Sequence, residues 1–197
     1  MDITKHHFQS AEFRSVVEAA LRFFEGTPVH RLPPPEKFSG PGVYAVYFVG
    51  DGALYASLAA SNIPLYVGKA VPSGWRIGRG GSLDDPVLFA RLNQHARSVA
   101  ATHLDEADFR CRFMILTGVE IDLIVPVEAA LIRRYNPLWN TVVTGFGNHD
   151  PGVGRSGQAV SEWDVLHPGR EWAARLTRDA PSRADIVAKV RAHLSGD

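Results

Sequence analysis

Apolar positions recur along this chain with two different periods, and the switches between them divide it into helical and strand-like segments. "SAEFRSVVEAALRFFEG" repeats apolar residues at helical spacing and ends on Gly26, which predicts a helix over about residues 9–25. "RLPPPEKFSGPG" follows as a proline-rich, extended connector. "GVYAVYFVG" is apolar without polar alternation, the pattern of a strand buried on both faces. Residues 50–64 form an insertion carrying the turn signal "GDG", and Leu65 to Gly68 begins a second strand. That strand runs into a glycine-rich basic loop, "KAVPSGWRIGRGGS".

A helix is predicted from about Pro86 to Ala100, and "DFRCRFMILTG" alternates as a third strand. Pro126 suits the first turn of a helix that runs to about Tyr135 and stops before Pro137. From Gly145 onward, glycine and turn residues dominate until a helix near Arg183 to Leu194. The pattern is that of an α+β fold with a small mixed or antiparallel sheet flanked by helices. One domain is expected over residues 1–197, with a core at about 41–143 and a C-terminal extension over 144–197.

Composition narrows the class. A chain of 197 residues can bury a real core, and its 45% hydrophobic content and mean hydropathy of −0.08 are those of a soluble globular protein. No apolar run is long enough to span a bilayer, and the start "MDITKHHFQS" has no apolar stretch of the kind export signals carry. The single cysteine, Cys111, excludes an internal disulfide and a cysteine-based zinc cluster, so a reducing, cytoplasmic setting in a prokaryote is expected. Lys+Arg and Asp+Glu balance at 21 each, which argues against a non-specific DNA coater. Locally, Lys69, Arg76, Arg79, Arg91 and Arg97 face only Asp84 and Asp85 between residues 69 and 97.

One ordered series carries candidate chemistry: Tyr44, Tyr66, Lys69, Arg91, His95, Glu128 and Asn140. Taken singly, each has an ordinary explanation. The tyrosines suit cross-strand packing, Arg91 and His95 a solvated helix face, Glu128 a first-turn acid favoured by the helix dipole, and Asn140 a turn. Jointly they suit phosphodiester hydrolysis. Arg91 and His95, four apart, share a helix face about 6 Å apart along the axis. Arginine offers a phosphate a planar fork of donors, and histidine can relay a proton near neutral pH. Glu128, set among Val127, Ala129, Ala130, Leu131 and Ile132, must lie at the helix start, be partnered, or bind a cation such as Mg²⁺. A tyrosine with an ordinary pKa of roughly 10 is a poor base unless a neighbouring cation, Lys69 or a metal, lowers it.

Other signatures are missing or weak. "GFGNHDPGVG" does not follow a strand and has no Gly-Lys-Ser/Thr partner, so nucleotide binding is not expected. There is no Glu-x-Lys triplet and no His-Glu-x-x-His zinc motif.

Gly42-Val43-Tyr44 and Tyr66-Val67-Gly68, followed by Arg91, Glu128 and Asn140 in that order, resemble the GIY-YIG nuclease superfamily, with valine in place of isoleucine in both motifs. The gap between the two motifs is longer here than in the shortest members. Through "IRRYNPLWN", "GFGNHDPGVGR" and "SEWDVLHPGR" the likeness extends to small type II restriction endonucleases that cut the palindrome CCGCGG, and it covers Pro41 to about Ala173.

That resemblance implies Tyr44 as general base assisted by His95 or Lys69, with Tyr66 and Arg91 on the scissile phosphate. It also implies Glu128 on Mg²⁺ (or Mn²⁺) and Asn140 orienting the phosphate. The implied partners are double-stranded DNA, a second copy of the chain in a homodimer, and a cognate DNA methyltransferase. Candidate DNA contacts are Arg76 and Arg79 in the basic loop and Asn148, His149, Arg155 and Gln158 in the glycine-rich stretch. Two alternatives stay open: a repair or mobile-element nuclease acting on other DNA structures, and a non-catalytic DNA-binding protein on the same scaffold.

Overall fold

The computed structural model describes every residue except 53, 76–81, 83, 153, 155–156 and 197. Arg76, Arg79 and Arg155 therefore lie outside the described residues. Four strands, β1 (His30–Arg31), β2 (Gly42–Phe48), β3 (Tyr66–Ala70) and β4 (Phe109–Ile115), form one sheet in the order β1-β4-β2-β3. Every pairing within it is antiparallel. β2 lies inside the sheet with hydrogen-bonded neighbours on both sides, which accounts for its unbroken apolar run. The connector after the first helix is not merely extended: its two-residue β1 pairs His30 with Cys111 and Arg31 with Arg110.

Side chains on a strand alternate between faces, and here the two faces carry different layers. Tyr44, Val46 and Phe48 of β2 point into one core with Leu88, Leu92 and Val99 of α3 (Val87–Ala100). Val43 and Ala45 of β2 and Val67 of β3 point into the other. There they meet Val17, Leu21 and Phe24 of α1 (Ala11–Gly26) and Val127 and Leu131 of α4 (Ile124–Tyr135). α1 begins where Ser10 Oγ accepts from the Phe13 amide at 3.0 Å. α4 ends at Asn136, which adopts the left-handed conformation (φ 44°) that asparagine tolerates better than most residues, just before Pro137.

Between the strands, α2 (Ala56–Ala59) sits in the inter-motif insertion, and α5 (Leu138–Thr141) follows α4. The C-terminal stretch is more ordered than its glycine content suggests. It contains α6 (Glu162–Leu166), capped by Ser161, as well as the expected last helix, α7 (Arg183–Ser195). Trp163, Leu166, Ile186 and Val190 are fully buried in the same core as Tyr44, so this stretch is built into that core.

α4 begins directly after a 3-10 segment, Gly118–Leu123, which places Pro126 third and Glu128 fifth in the helix. Glu128 thus lies past the first turn, and the dipole explanation for that carboxylate falls away.

Candidate active site

Tyr44 stands mid-strand on β2, opposite Gly68 of β3. A Cβ on residue 68 would meet Tyr44 Oη at 2.4 Å and Tyr66 Cε1 at 2.9 Å, so glycine is what lets the two phenols share this floor. From above, α3 lowers His95 and Arg91 onto the same hydroxyl. Tyr44 Oη lies 2.6 Å from His95 Nε2, and Arg91 Nε donates to Tyr44 Oη at 3.3 Å. The four-residue spacing read in the sequence does bring both side chains to one point. Tyr66 completes the cluster, its ring centroid 6.2 Å from that of Tyr44 and 5.3 Å from that of His95.

Burial sets the protonation of these groups. Tyr44 is wholly inaccessible, and loss of solvent pushes its phenol well above the ordinary value; the Arg91 charge pulls the other way. Burial also raises Tyr66, again opposed by Arg91. His95 is held well below its ordinary value by burial and then by the positive charges of Arg91 and Arg170, so it rests neutral. Its Nδ1 is buried with no partner. Phe146 stacks on the imidazole at 4.4 Å and fixes the ring plane.

The Arg91 guanidinium is steered by the segment after α5. Nη2 donates to the Gly147 carbonyl at 2.7 Å, and Nη1 lies 2.6 Å from Gln94 Oε1 and 2.7 Å from His149 Nε2. Arg170, buried with Asp164, binds the carbonyls of Gly145, Phe146 and Asn148 in that same segment.

Lys69 and Glu128 belong to the opposite face. Lys69 pairs in register with Val43, whose side chain lies under α1 and α4, and Lys69 Nζ bonds Glu128 Oε2. Strand alternation explains the difference from expectation: one residue beyond Gly68, the side chain points away from the tyrosines. The cation beside Tyr44 is Arg91, and Lys69 serves the glutamate instead. Burial is the main cause of the raised Tyr66 phenol, and the negative charge of Glu128 adds to it. Among the described residues no group of three or more His, Cys, Asp or Glu side chains could hold a metal. Glu128 alone suits a hard cation that keeps most of its waters, and it does not suit one needing a full protein cage.

Asn140 has a different task from the one expected. Its Oδ1 accepts from the Val67 amide at 2.7 Å and its Nδ2 donates to the Val67 carbonyl at 2.8 Å. Both ends of the amide are thus engaged with β3, where they stand in for a missing neighbouring strand. Asn140 fixes the strand that carries Tyr66.

Of the expected DNA contacts, Asn148, His149 and Gln158 line one shallow cavity of about 350 Å³, together with Asp150, Ser161 and Trp172. A larger cavity of about 480 Å³, between α1 and α4, contains none of the site residues. Gly68 belongs to the second tyrosine motif, whereas Gln94, Phe146, Gly147, Asp164 and Arg170 are not among the candidate site residues of the sequence. Gln94 shares the helix face of Arg91 at three-residue spacing and was legible on that ground. The others act through tertiary approach, for which a single sequence has no periodic signal.

Paired tyrosines on adjacent antiparallel strands, an arginine helix over one face and a glutamate helix under the other define a GIY-YIG nuclease core. The family model described as the Eco29kI GIY-YIG domain matches residues 36–194, and the chain belongs to that family, a family of restriction endonucleases. It is therefore a restriction-type nuclease with DNA as its substrate, and nucleases of this superfamily generally use a divalent metal. No curated protein matches the chain. No helix among the described residues is long and apolar enough to cross a membrane.

Proposed function

We propose that the protein is a type II restriction endonuclease of the prokaryotic cytoplasm that hydrolyses double-stranded DNA at a GC-rich palindrome, CCGCGG, with Mg²⁺. It acts as a homodimer and alongside a cognate DNA methyltransferase. The observation that carries the reading is the convergence of Tyr44 Oη, His95 Nε2 and Arg91 Nε at one point, with Glu128 across the adjacent strand.

Arg91 donates to the phenol oxygen, so the phenol's own proton is free to be shared with His95 Nε2. In the tautomer that carries hydrogen on Nδ1, that nitrogen is an acceptor, and the proton leaving Tyr44 has a destination. Burial opposes this transfer, because it disfavours both the phenolate and the imidazolium. The Arg91 cation 3.3 Å away offsets part of that penalty, and a phenolate beside it draws the proton of the attacking water through the hydroxyl of Tyr66, which is hydrogen-bonded to it and less buried. Tyr66 and the remaining N–H of Arg91 Nη2 then hold the phosphate oxygens as negative charge develops on them. A metal on Glu128 would supply neutralisation of the phosphate and of the leaving oxygen. A palindromic site is matched by a two-fold protein dimer, and G·C pairs favour arginine or amide side chains at base edges. Arg76, Arg79, Asn148, His149, Arg155 and Gln158 are the candidates for that reading.

The test is digestion of a plasmid with a single CCGCGG site, with Mg²⁺ or EDTA, by wild type and by Tyr44→Phe and Glu128→Ala. Linear product mapped to that site, only with Mg²⁺ and only from wild type, is the expected result. Retained binding without cleavage under every condition would overturn the catalytic reading. Cleavage mapped elsewhere would overturn the specificity alone.

A further inference from the structure

We propose that the buried Arg170–Asp164 pair is the positioning element of Arg91, acting through the carbonyl of Gly147. The catalytic meaning of this inference rests on the nuclease reading above; its structural content does not.

The Arg170 and Asp164 side chains are 4% and 1% exposed. Arg170 Nε and Nη2 grip the two carboxylate oxygens at 2.7 Å each, and Ser161 Oγ donates to the same carboxylate at 2.6 Å. The remaining donors go to main-chain carbonyls: Gly145 at 2.9 Å, Phe146 at 3.2 Å and Asn148 at 3.4 Å. All five guanidinium N–H groups thereby have a partner. The rings of Trp163 and Trp172 each lie 4.6 Å from the guanidinium carbon and fix its plane.

Three carbonyls of one short segment are therefore bound to Arg170, and the one left out, Gly147, turns to Arg91 Nη2 at 2.7 Å. The approach is close: a Cβ on residue 147 would meet Tyr66 Oη at 2.5 Å and Arg91 Nη2 at 3.4 Å. Phe146, held by the same grip, stacks on His95 and meets Tyr66 edge-on at 5.0 Å. A segment with Gly145 at φ +114° and Gly147 beside it has little stiffness of its own.

A buried ion pair is a poor source of stability compared with packed apolar side chains. What an arginine adds at this place is a planar fork that can hold several carbonyls at fixed angles, which lysine lacks. Arg170 donates no hydrogen bond to the tyrosines; apart from the charge it adds at His95, which lysine would keep, its hold on Arg91 passes through the main chain.

The experiment uses Arg170→Lys, which leaves Asp164 paired with a cation, and Asp164→Glu as a second variant should the first not fold. The first measurement is ¹⁵N relaxation of the Arg91 side-chain Nε–H, without DNA or metal. Its order parameter is expected to fall from about 0.85 to below about 0.6 while the α3 backbone is unchanged. An Arg91 side chain as ordered as in wild type overturns the proposal. The second is single-turnover cleavage with DNA affinity measured separately. The rate should drop about 100-fold for a misplacement near 1 Å. Affinity should change less than about threefold, since phosphate contacts spread over the interface dominate it. Arg91→Lys should then cost much less in the Arg170→Lys background than in wild type, whereas equal costs in the two backgrounds overturn the coupling. If wild type cuts no DNA, the nuclease reading falls and the relaxation result alone decides the positioning role.

Discussion

Gly68→Ala places one methyl group at the contact on which the proposed chemistry depends. The new Cβ would stand 2.4 Å from Tyr44 Oη and 2.6 Å from Tyr44 Cζ, whereas ordinary contact begins at 3.4 Å. The phenol must therefore retreat by about 1 Å. It has no open side to retreat into, because Tyr44 is completely buried, with His95 2.6 Å from its hydroxyl and the Tyr66 ring alongside. Overpacking of this kind costs about 1–3 kcal/mol. In a domain of this size that lowers the melting temperature by roughly 2–4 °C per kcal/mol, so the chain stays folded at 25 °C.

The larger effect is on rate. A displacement near 1 Å breaks the alignment of Tyr44 with His95 Nε2 and Arg91 Nε, and errors of that size cost about 100-fold in positioned chemistry. The assay is single-turnover cleavage under saturating enzyme, with thermal melting in parallel and Gly26→Ala as control, because a Cβ at 26 meets nothing within 4 Å among the described residues. A Gly68→Ala protein that melts a few degrees lower yet cleaves at the wild-type rate would refute the placement of Tyr44 at the reacting centre.

Three further outcomes follow from other parts of the site. Asn140→Ala removes both bonds to the Val67 backbone and should destabilise by about 1–3 kcal/mol, read by urea unfolding; an unchanged midpoint would show that β3 does not need this support. Glu128→Gln should lower cleavage by about 100- to 1000-fold. The same change should shift stability by less than about 1 kcal/mol, because its partner Lys69 is partly exposed. Burial holds His167 at about 3, below its ordinary value of 6.5, so the unfolded chain binds the proton first as pH falls. Stability from this group is complete above about pH 6.5 and is lost progressively toward pH 3, by about 2–3 kcal/mol near pH 4.5. His167→Gln should flatten that slope without removing it, since His95 is displaced in the same direction; an identical slope would contradict the assignment.

How much of this was legible in the sequence depended on the range of the interaction. Helical spacing found α1, an unbroken apolar run found β2, alternation found β4 and prolines bounded α4, all close to the observed elements, because each signal lies within its own segment. β1 has only two residues and owes its existence to β4, and α6 has five residues in a turn-rich stretch, so neither carries a repeat long enough to read. The site residues followed the same rule. Arg91 and His95 were paired correctly from helical spacing, whereas Lys69 was given to the tyrosine next to it in sequence although the pleat turns it to the other face. Arg170 lies in a segment noted only for its resemblance. Its partners Gly145, Phe146 and Asn148 are 22 to 25 residues away, and no local pattern connects them.

The fold also supplies its own control for what makes a tyrosine–histidine contact reactive. Tyr55 Oη lies 2.6 Å from His167 Nε2, the same separation as Tyr44 from His95, and in both pairs the histidine is buried and its Nδ1 lacks a partner. Tyr55 comes from the inter-motif insertion and His167 from the end of α6, so this contact ties the insertion to the C-terminal layer. The difference lies in the third group. Trp139 Nε1, a neutral donor, supports Tyr55 at 3.2 Å, whereas the Arg91 cation supports Tyr44 at 3.3 Å. A phenolate at Tyr55 would have only the unbonded charge of Arg183 to offset its desolvation, while one at Tyr44 has the Arg91 cation hydrogen-bonded to its oxygen. A buried Tyr–His pair is by this comparison a structural tie by default. In the proposed mechanism it becomes a base because the chain also brings a fixed positive charge into hydrogen-bond reach of the phenol, which here depends on an arginine one helical turn before the histidine and on a loop that holds its far end.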